Sequence, residues 1–227
     1  MKIAVDAMGG DYAPQATVQG SIDALNNSNK KLEIFLLGDE NQINDILQSQ
    51  FSNKINVIHC SDEVTMNDNG AKVIKSKPDS SIVQGIQLVK DHKADAFISA
   101  GNTGAQLAVS HLILGRIPHV KRPGLAVYFQ ALNEKKVLCD VGANLEVKPE
   151  HLLQFAIMSS VYLDHVEGVK NPKVGLINIG TEPSKGTELY QQAYELLSNE
   201  LPNFVGNIES RNFFDSSAHI LVCDGFV

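Results

Sequence analysis

Short apolar runs that do not alternate with polar residues recur along this chain, and stretches with helical periodicity lie between most of them. The clearest runs are residues 2–8, 32–39, 94–101 and 173–181. Such runs are typical of strands that are covered on both faces. Their alternation with helices predicts the α/β class: an open, mostly parallel sheet whose right-handed crossovers put helices on both faces, in three layers.

One connection in this pattern is too short for a helix. The runs 124–132 and 136–143 are separated only by Asn133, Glu134 and Lys135, which is the length of a β-hairpin connection. We therefore expect one short antiparallel pair. The 227 residues contain no internal repeat, low-complexity tract or linker, so we expect a single α/β domain over residues 1–227.

The composition of the chain bears on which partners it can bind and on its cellular compartment. The formal net charge of −7 argues against sequence-independent nucleic-acid binding, because phosphate backbones are held by excess Lys and Arg. The three cysteines, Cys60, Cys139 and Cys223, form no CxxC pair, which indicates buried thiols of a cytosolic protein. The first residues resemble no signal peptide, and no run of about 18 apolar residues occurs. We expect a cytoplasmic protein with no nucleic-acid partner.

Five predicted strand ends are rich in glycine, small polar residues and acids: residues 6–11, 99–105, 140–144, 178–186 and 223–227. The carboxyl ends of parallel strands meet at one edge of a sheet, where ligands bind. Glycine lets backbone N–H groups approach a ligand, and a helix N-terminus adds positive partial charge. The pattern predicts an anion pocket. Its phosphate-binding candidates are Gly9, Gly10, Asp11, Gly101, Asn102, Thr103, Gly104, Asp140, Asn144, Gly180, Thr181, Glu182, Ser184 and Asp224.

Each strand end taken alone has a simpler interpretation. Gly9 and Gly10 could form a turn, and Thr103 and Ser184 could be helix N-caps. The GNTG segment lacks the spacing of a Walker loop or of a dinucleotide GxGxxG. The acids could bind Mg²⁺, orient other groups or cap helices; we favour positioning, and expect no metal and no cofactor. These acids are Asp6, Asp11, Asp140, Glu182 and Asp224.

Lys185 is the candidate catalytic residue. We expect it in the first turn of a helix, where the helix dipole disfavours a cation unless a bound phosphate is also present. With N–H groups of the GNTG and GTEPSKG loops, it would orient phosphate and stabilise the negative charge of a tetrahedral intermediate. No serine lies in a GxSxG elbow, and no cysteine has a base partner in sequence. Direct transfer between two bound substrates is therefore expected.

At these strand ends the sequence resembles the PlsX family of bacterial phosphate acyltransferases, the acyl-carrier-protein (ACP):phosphate acyltransferases of phospholipid synthesis. The resemblance covers essentially all 227 residues. The segments that carry it are "IAVDAMGGDYAP", "ISAGNTGA", "RPGLA", "DVGAN", "KPEHLLQFAIMSSVY", "NIGTEPSKG", "VGNIESR" and "CDGFV".

The resemblance implies a cytoplasmic enzyme, peripheral on the inner face of the membrane, that converts acyl-ACP and inorganic phosphate into acyl phosphate and free ACP. It implies a homodimer without a cofactor, whose product passes to a membrane glycerol-3-phosphate acyltransferase. It also implies a fold similar to those of phosphotransacetylases and isopropylmalate dehydrogenases. Family members continue beyond the final "DGFV", so the resemblance implies that this chain lacks their C-terminal part.

Two other functions remain open at the level of sequence. An isopropylmalate-type NAD-dependent dehydrogenase would share the implied fold but would need Mg²⁺ and a nicotinamide. A non-catalytic ACP-binding scaffold would bind the carrier without forming acyl phosphate.

Overall fold

The computed structural model describes residues 1–47, 54–131 and 134–226. The chain forms two compact units, Met1–Gly115 and Arg116–Val227, each with its own sheet. The α/β class is confirmed, although the strands lie in two sheets where the sequence predicted one. A single domain spanning residues 1–227 stays a prediction.

The first unit is built on a four-stranded parallel sheet with the strand order β3-β2-β1-β4. Its elements are β1 (Lys2–Asp6), α1 (Gln15–Asn27), β2 (Glu33–Gly38), α2 (Glu40–Leu47), β3 (Ile55–His59), α3 (Gly70–Ser76), α4 (Ser81–Lys90), β4 (Ala96–Ile98) and α5 (Thr103–Ile113). Helix α1 buries Val18, Ile22 and Leu25, which follow one another at helical spacing.

Both faces of this sheet are covered by helices. On β2, Leu36 belongs to an apolar cluster with residues of α1 and α2. Its neighbour Leu37 points to the opposite face and packs with Leu88 and Val89 of α4. Covering both faces explains why the strand sequence is continuously apolar rather than alternating.

The second unit is built on a five-stranded sheet with the order β5-β6-β9-β7-β8. Its elements are β5 (Ala126–Gln130), β6 (Lys135–Cys139), α6 (Pro149–Tyr162), a π-helical turn (Leu163–Glu167), β7 (Val174–Asn178), α7 (Glu188–Glu200), β8 (Phe204–Glu209), a 3₁₀ turn (Ser210–Asn212) and β9 (Ile220–Val222). Strands β5 and β6 are antiparallel and the other pairings are parallel, which confirms the predicted antiparallel pair. Asn133 in its connection lies outside the described residues.

The two faces of this second sheet are covered differently. The larger apolar cluster joins α6 and α7 to one face through buried residues that include Phe155, Leu176 and Val222. The other face packs Ile177 and Leu221 against aromatic and small side chains from loops and from β5. Both long helices of the unit therefore lie on the same face, unlike the helices of the first unit.

The three cysteines are free and buried, as predicted. Burial raises the pKa of the Cys60 thiol and of the Cys139 thiol to about 12, so neither is a thiolate near neutral pH. Among the described residues, no helix is both long enough and apolar enough to span a membrane.

Candidate functional site

In the first unit, the ends of the adjacent strands β1 and β4 are tied together. Asp6 is buried, and its carboxylate accepts hydrogen bonds from the Ser99 hydroxyl at 2.7 Å and from the Met8 N–H at 3.1 Å. A Cβ on Gly9 would lie 2.4 Å from the Asp6 carboxylate and 2.8 Å from the Gly101 nitrogen. The two predicted glycine-rich ends therefore meet, and a side chain on Gly9 would separate them.

Asn102 caps the helix that follows β4. Its side-chain oxygen accepts from the Ala105 N–H at 2.9 Å, and its amide donates to the carbonyls of Thr65 and Asp68 at 3.0 Å. The N-cap of α5 is thus Asn102, and the alternative interpretation of Thr103 as this N-cap is excluded. Thr103, Gly104, Gly10 and Asp11 are exposed at this edge, whereas Gly9 and Asn102 are buried.

In the second unit, Asp140 organises the loop that follows β6. It is fully buried, and its two oxygens accept from four groups: the N–H groups of Leu125, Ala143 and Asn144, and the Asn144 side-chain amide. That amide also donates to the Pro123 carbonyl. The polar atoms of Asp140 are therefore occupied within the chain, and the role that its geometry supports is to fix this loop.

The loop after β9 packs against the loop after β6. A Cβ on Gly225, which has φ of +87°, would lie 2.7 Å from the Gly142 nitrogen. The Asp224 N–H donates to the Tyr190 hydroxyl at 3.3 Å. Burial, with the neighbouring Asp224 carboxylate, raises the pKa of Tyr190 above its usual value, so the phenol stays protonated. The structure thus brings Asp224 to α7, the helix that follows the Lys185 loop.

The loop between β7 and α7 carries Lys185 on a tight turn. The Lys185 N–H donates to the Glu182 carbonyl at 3.1 Å, which closes a four-residue turn with Pro183 at its second position. The ammonium lies 4.0 Å from the Glu182 carboxylate, and the side chain is 48% exposed. Its stem passes over Gly180, where a Cβ would lie 2.9 Å from the Lys185 Cγ. Helix α7 begins at Glu188 with Thr187 as its N-cap, so placing Lys185 in the first helical turn, or Ser184 at the N-cap, is wrong.

The carbonyls of this loop are held by side-chain amides. Asn178 donates to the Lys185 carbonyl at 3.1 Å, and Asn207 donates to the Glu182 carbonyl at 2.9 Å. Gln191 donates to the Ser184 carbonyl at 2.8 Å. Within the part of the chain that the structure describes, the N–H groups of six loop residues have no hydrogen-bond acceptor. These are Gly180, Thr181, Glu182, Ser184, Gly186 and Thr187.

Such a loop can bind an anion. The carbonyls of Glu182, Ser184 and Lys185 are already bonded, whereas the free N–H donors of the loop and the lysine ammonium remain for a negatively charged ligand. Asn178, Asn207 and Gln191 were not among the sequence-predicted site residues. The available signal was a polar residue inside or at the end of an apolar run, as in "VGLIN" and "VGNIE".

The predicted strand ends are thus distributed over both units. The ends after β1 and β4 meet in the first unit, and those after β6, β7 and β9 lie on neighbouring strands of the second. Groups of three or more His, Cys, Asp or Glu side chains that could hold a metal ion are absent from the described residues.

The family model described as "Fatty acid synthesis protein" matches residues 1–227. Curated relatives named phosphate acyltransferase include one from Dictyoglomus turgidum, 46% identical, and one from Clostridium tetani, 47% identical. Both alignments cover 100% of this chain and 68% of the relative.

Solved structures with a similar fold are more distant in sequence. A branched-chain phosphotransacylase from Enterococcus faecalis has a TM-score of 0.64 at 15% identity, covering 97% of this chain and 78% of that one. The EutD phosphotransacetylase from Staphylococcus aureus has a TM-score of 0.65 at 19% identity, covering 98% of this chain and 77% of that one. These likenesses confirm the predicted fold class.

Identity of 46–47% across the whole chain establishes the family, and the relatives' names confirm the predicted acyltransferase class without favouring either alternative. The chain belongs to the fatty acid synthesis protein family and, within it, to the phosphate acyltransferases.

Proposed function

We propose that this chain transfers the acyl group of acyl-ACP to inorganic phosphate, giving acyl phosphate and free ACP. The single observation that carries the phosphate half of this proposal is the Lys185 loop. It combines a half-exposed ammonium with backbone N–H groups that have no acceptor among the described residues. The curated relatives' name, phosphate acyltransferase, supports the same reaction class.

The reaction needs little chemistry beyond orientation and charge stabilisation. A phosphate oxygen attacks the thioester carbonyl carbon, and a C–O bond forms while the carbonyl becomes an oxyanion. The C–S bond then breaks, and the carrier leaves as a thiolate. Holding phosphate beside the thioester supplies the entropic part of the rate enhancement. One well-placed donor to the developing charge contributes about 3–4 kcal/mol.

Lys185 is the residue that would provide this charge stabilisation, and the Glu182 carboxylate lies 4.0 Å from its ammonium. Gly180, Thr181 and Ser184 would contribute to the phosphate site through their backbone. Asp140, Asn144 and Asp224 would support it by fixing the adjacent loops. A phosphate-binding role for the first-unit candidates, Gly9–Asp11 and Gly101–Gly104, stays a prediction.

The proposal extends to partners and location. An acyl phosphate is a reactive mixed anhydride, so a second acyltransferase that acylates an alcohol is needed to use it. We assign that role to a membrane glycerol-3-phosphate acyltransferase in phospholipid synthesis, with this protein cytoplasmic, peripheral at the inner membrane face and homodimeric. Light scattering tests the last point, and a monomer at micromolar concentration would contradict it.

The reaction is tested by incubating the purified chain with acyl-ACP and ³²P-labelled phosphate and measuring labelled acyl phosphate together with released ACP thiol. We expect both products in equal amounts, and far slower turnover with acyl-CoA at the same concentration. Comparable turnover with acyl-CoA would refute the carrier requirement. ACP binding without any labelled acyl phosphate would refute the reaction and favour the scaffold function.

A further inference from the structure

Two buried asparagines reach the Lys185 turn from neighbouring strands. Asn178 is the last residue of β7 and is 3% exposed, and Asn207 lies in β8 and is 5% exposed. The Asn207 amide bonds the carbonyl of Glu182, the first residue of the turn. The Asn178 amide bonds the carbonyl of Lys185, the last. The turn is therefore anchored to the sheet at both ends by side chains that belong to the core.

We propose that Asn178 and Asn207 are positioning residues for the reaction, which fix the turn and thereby set where the Lys185 ammonium stands. This inference rests on the proposed function, because it assigns the asparagines an effect that acts through Lys185.

The side chains at the turn have few other constraints. Thr181, Glu182, Pro183, Ser184 and Lys185 are all exposed, so packing does little to define their conformation. The ion pair between Lys185 and Glu182, at 4.0 Å and about half exposed, is too weak to do so alone. Buried side-chain amides have restricted rotamers, and hydrogen bonds shielded from water are stronger than exposed ones. The asparagines are thus the rigid part of the assembly.

Burying the Asn207 amide at its place in the sheet costs folding free energy. Asn207 is opposite Leu176 in the parallel register of β7 and β8, a position where an apolar side chain would pack without desolvating an amide. Its side-chain oxygen is buried and has no hydrogen-bond partner among the described residues. An unsatisfied buried acceptor lowers stability. The hydrogen bond from the Asn207 amide to the Glu182 carbonyl offsets part of this cost.

Gly186 lets the turn sit directly on Asn178. It has φ of +84°, and a Cβ there would lie 2.6 Å from the Asn178 side-chain oxygen. That oxygen accepts from the Ile179 N–H at 2.8 Å, so both polar atoms of the Asn178 amide are used to shape the loop. The Asn178 side chain therefore contacts the loop both before Lys185, at Ile179, and after it, at Gly186.

The test is a double-mutant cycle on acyl-phosphate formation. The variants are Asn207→Ala, Lys185→Ala and the double change, with kcat and the KM for phosphate measured for each. We expect Asn207→Ala to lower kcat about tenfold or more, because small displacements of a catalytic group are costly. In the Lys185→Ala background the same change should lower kcat less than twofold, because there is no ammonium left to misplace.

Asn203→Ala is the matched control. Its amide also donates to a backbone carbonyl, that of Pro172, but Asn203 precedes the first residue of β8 and makes this bond away from the turn. We expect it to leave kcat within twofold of the unchanged chain. If Asn207→Ala removes too much stability, Asn207→Leu keeps a similar side-chain volume and removes the donor without burying a charge, and takes its place in the cycle.

The outcomes separate the inference from the proposed function. Two outcomes would overturn the inference but leave the proposed function standing. In the first, Lys185→Ala lowers kcat and Asn207→Ala does not. In the second, Asn207→Ala lowers kcat by the same factor whether residue 185 is lysine or alanine. If the unchanged chain forms no acyl phosphate, the proposed function fails. Amide ¹⁵N relaxation then decides the anchoring: equal order at the Lys185 amide with and without Asn207→Ala would overturn it.

Discussion

Replacing Lys185 by alanine should lower turnover by about a hundredfold while leaving the chain folded. The loop offers the reaction one exposed cation, on a turn whose first and last carbonyls are already bonded. A single donor to a developing oxyanion contributes about 3 kcal/mol, and each 1.36 kcal/mol corresponds to about a tenfold change in rate. The two figures together give the expected loss.

The stability of the variant should stay close to that of the unchanged chain. The Lys185 side chain is 48% exposed, and its ion pair with Glu182 spans 4.0 Å, so solvent screens most of the attraction. The stem of the side chain also passes over Gly180. Exposed substitutions of this kind shift the free energy of unfolding by about 0.5 kcal/mol or less.

The assay is ³²P-labelled acyl-phosphate formation from acyl-ACP over a range of phosphate concentrations that reaches saturation. Lys121→Ala is the matched control, because Lys121 is 56% exposed and pairs with Glu150 at 3.1 Å outside the loop. We expect that variant to keep its kcat. Lys185→Arg should recover only part of the rate, since the guanidinium is planar and bulkier than the ammonium.

Saturating phosphate distinguishes two roles of the lysine. If Lys185 acts on the transition state, raising phosphate leaves the alanine variant slow; if it only binds phosphate, saturation restores the rate. Full turnover of Lys185→Ala at saturating phosphate would refute the catalytic role and reduce Lys185 to a binding residue.

Three further predictions concern stability and reactivity. Asn102→Ala should lower the free energy of unfolding by about 2 kcal/mol in urea titrations, because it removes an N-cap and leaves three carbonyls without this donor; a change below about 0.5 kcal/mol would contradict this. The hydrogen bond from Lys77, with those from Thr65, lowers the pKa of Asp68 to about 2, so its stabilisation is present above the unfolded pKa of about 4 and is lost as pH falls from about 4 to about 2. Asp68→Asn should therefore lose less stability than the unchanged chain over that interval, and equal losses in acid titrations would count against the assignment. All three thiols should be inert to Ellman's reagent at pH 8 until the chain is unfolded, because they are buried and their pKa values are raised; fast labelling of the native protein would show otherwise.

The sequence alone was sufficient for the α/β class, because runs such as residues 173–181 are apolar without alternation and two-faced burial is what such runs require. It also located the antiparallel pair, since three residues are too few for a crossover. It did not reveal two sheets. Parallel pairing joins strands that are distant along the chain, as β6 and β9 are, and local patterns do not specify such partners.

The residues of the candidate site likewise fall into those that the sequence predicted and those that only the structure revealed. Sequence identified Lys185 and its glycine-rich loop, because glycines, hydroxyls and a lysine in a strand-to-helix connection are unusual for a simple turn. Only the tertiary structure placed the Asn207 amide against the carbonyl of Glu182, 25 residues earlier in the chain. It also gave the four hydrogen bonds that Asp140 accepts, three from its own loop and one from Leu125. From the sequence, a polar residue inside an apolar strand can be expected to need a hydrogen-bond partner. The identity of that partner depends on the order and register of the strands, and these are properties of the folded chain.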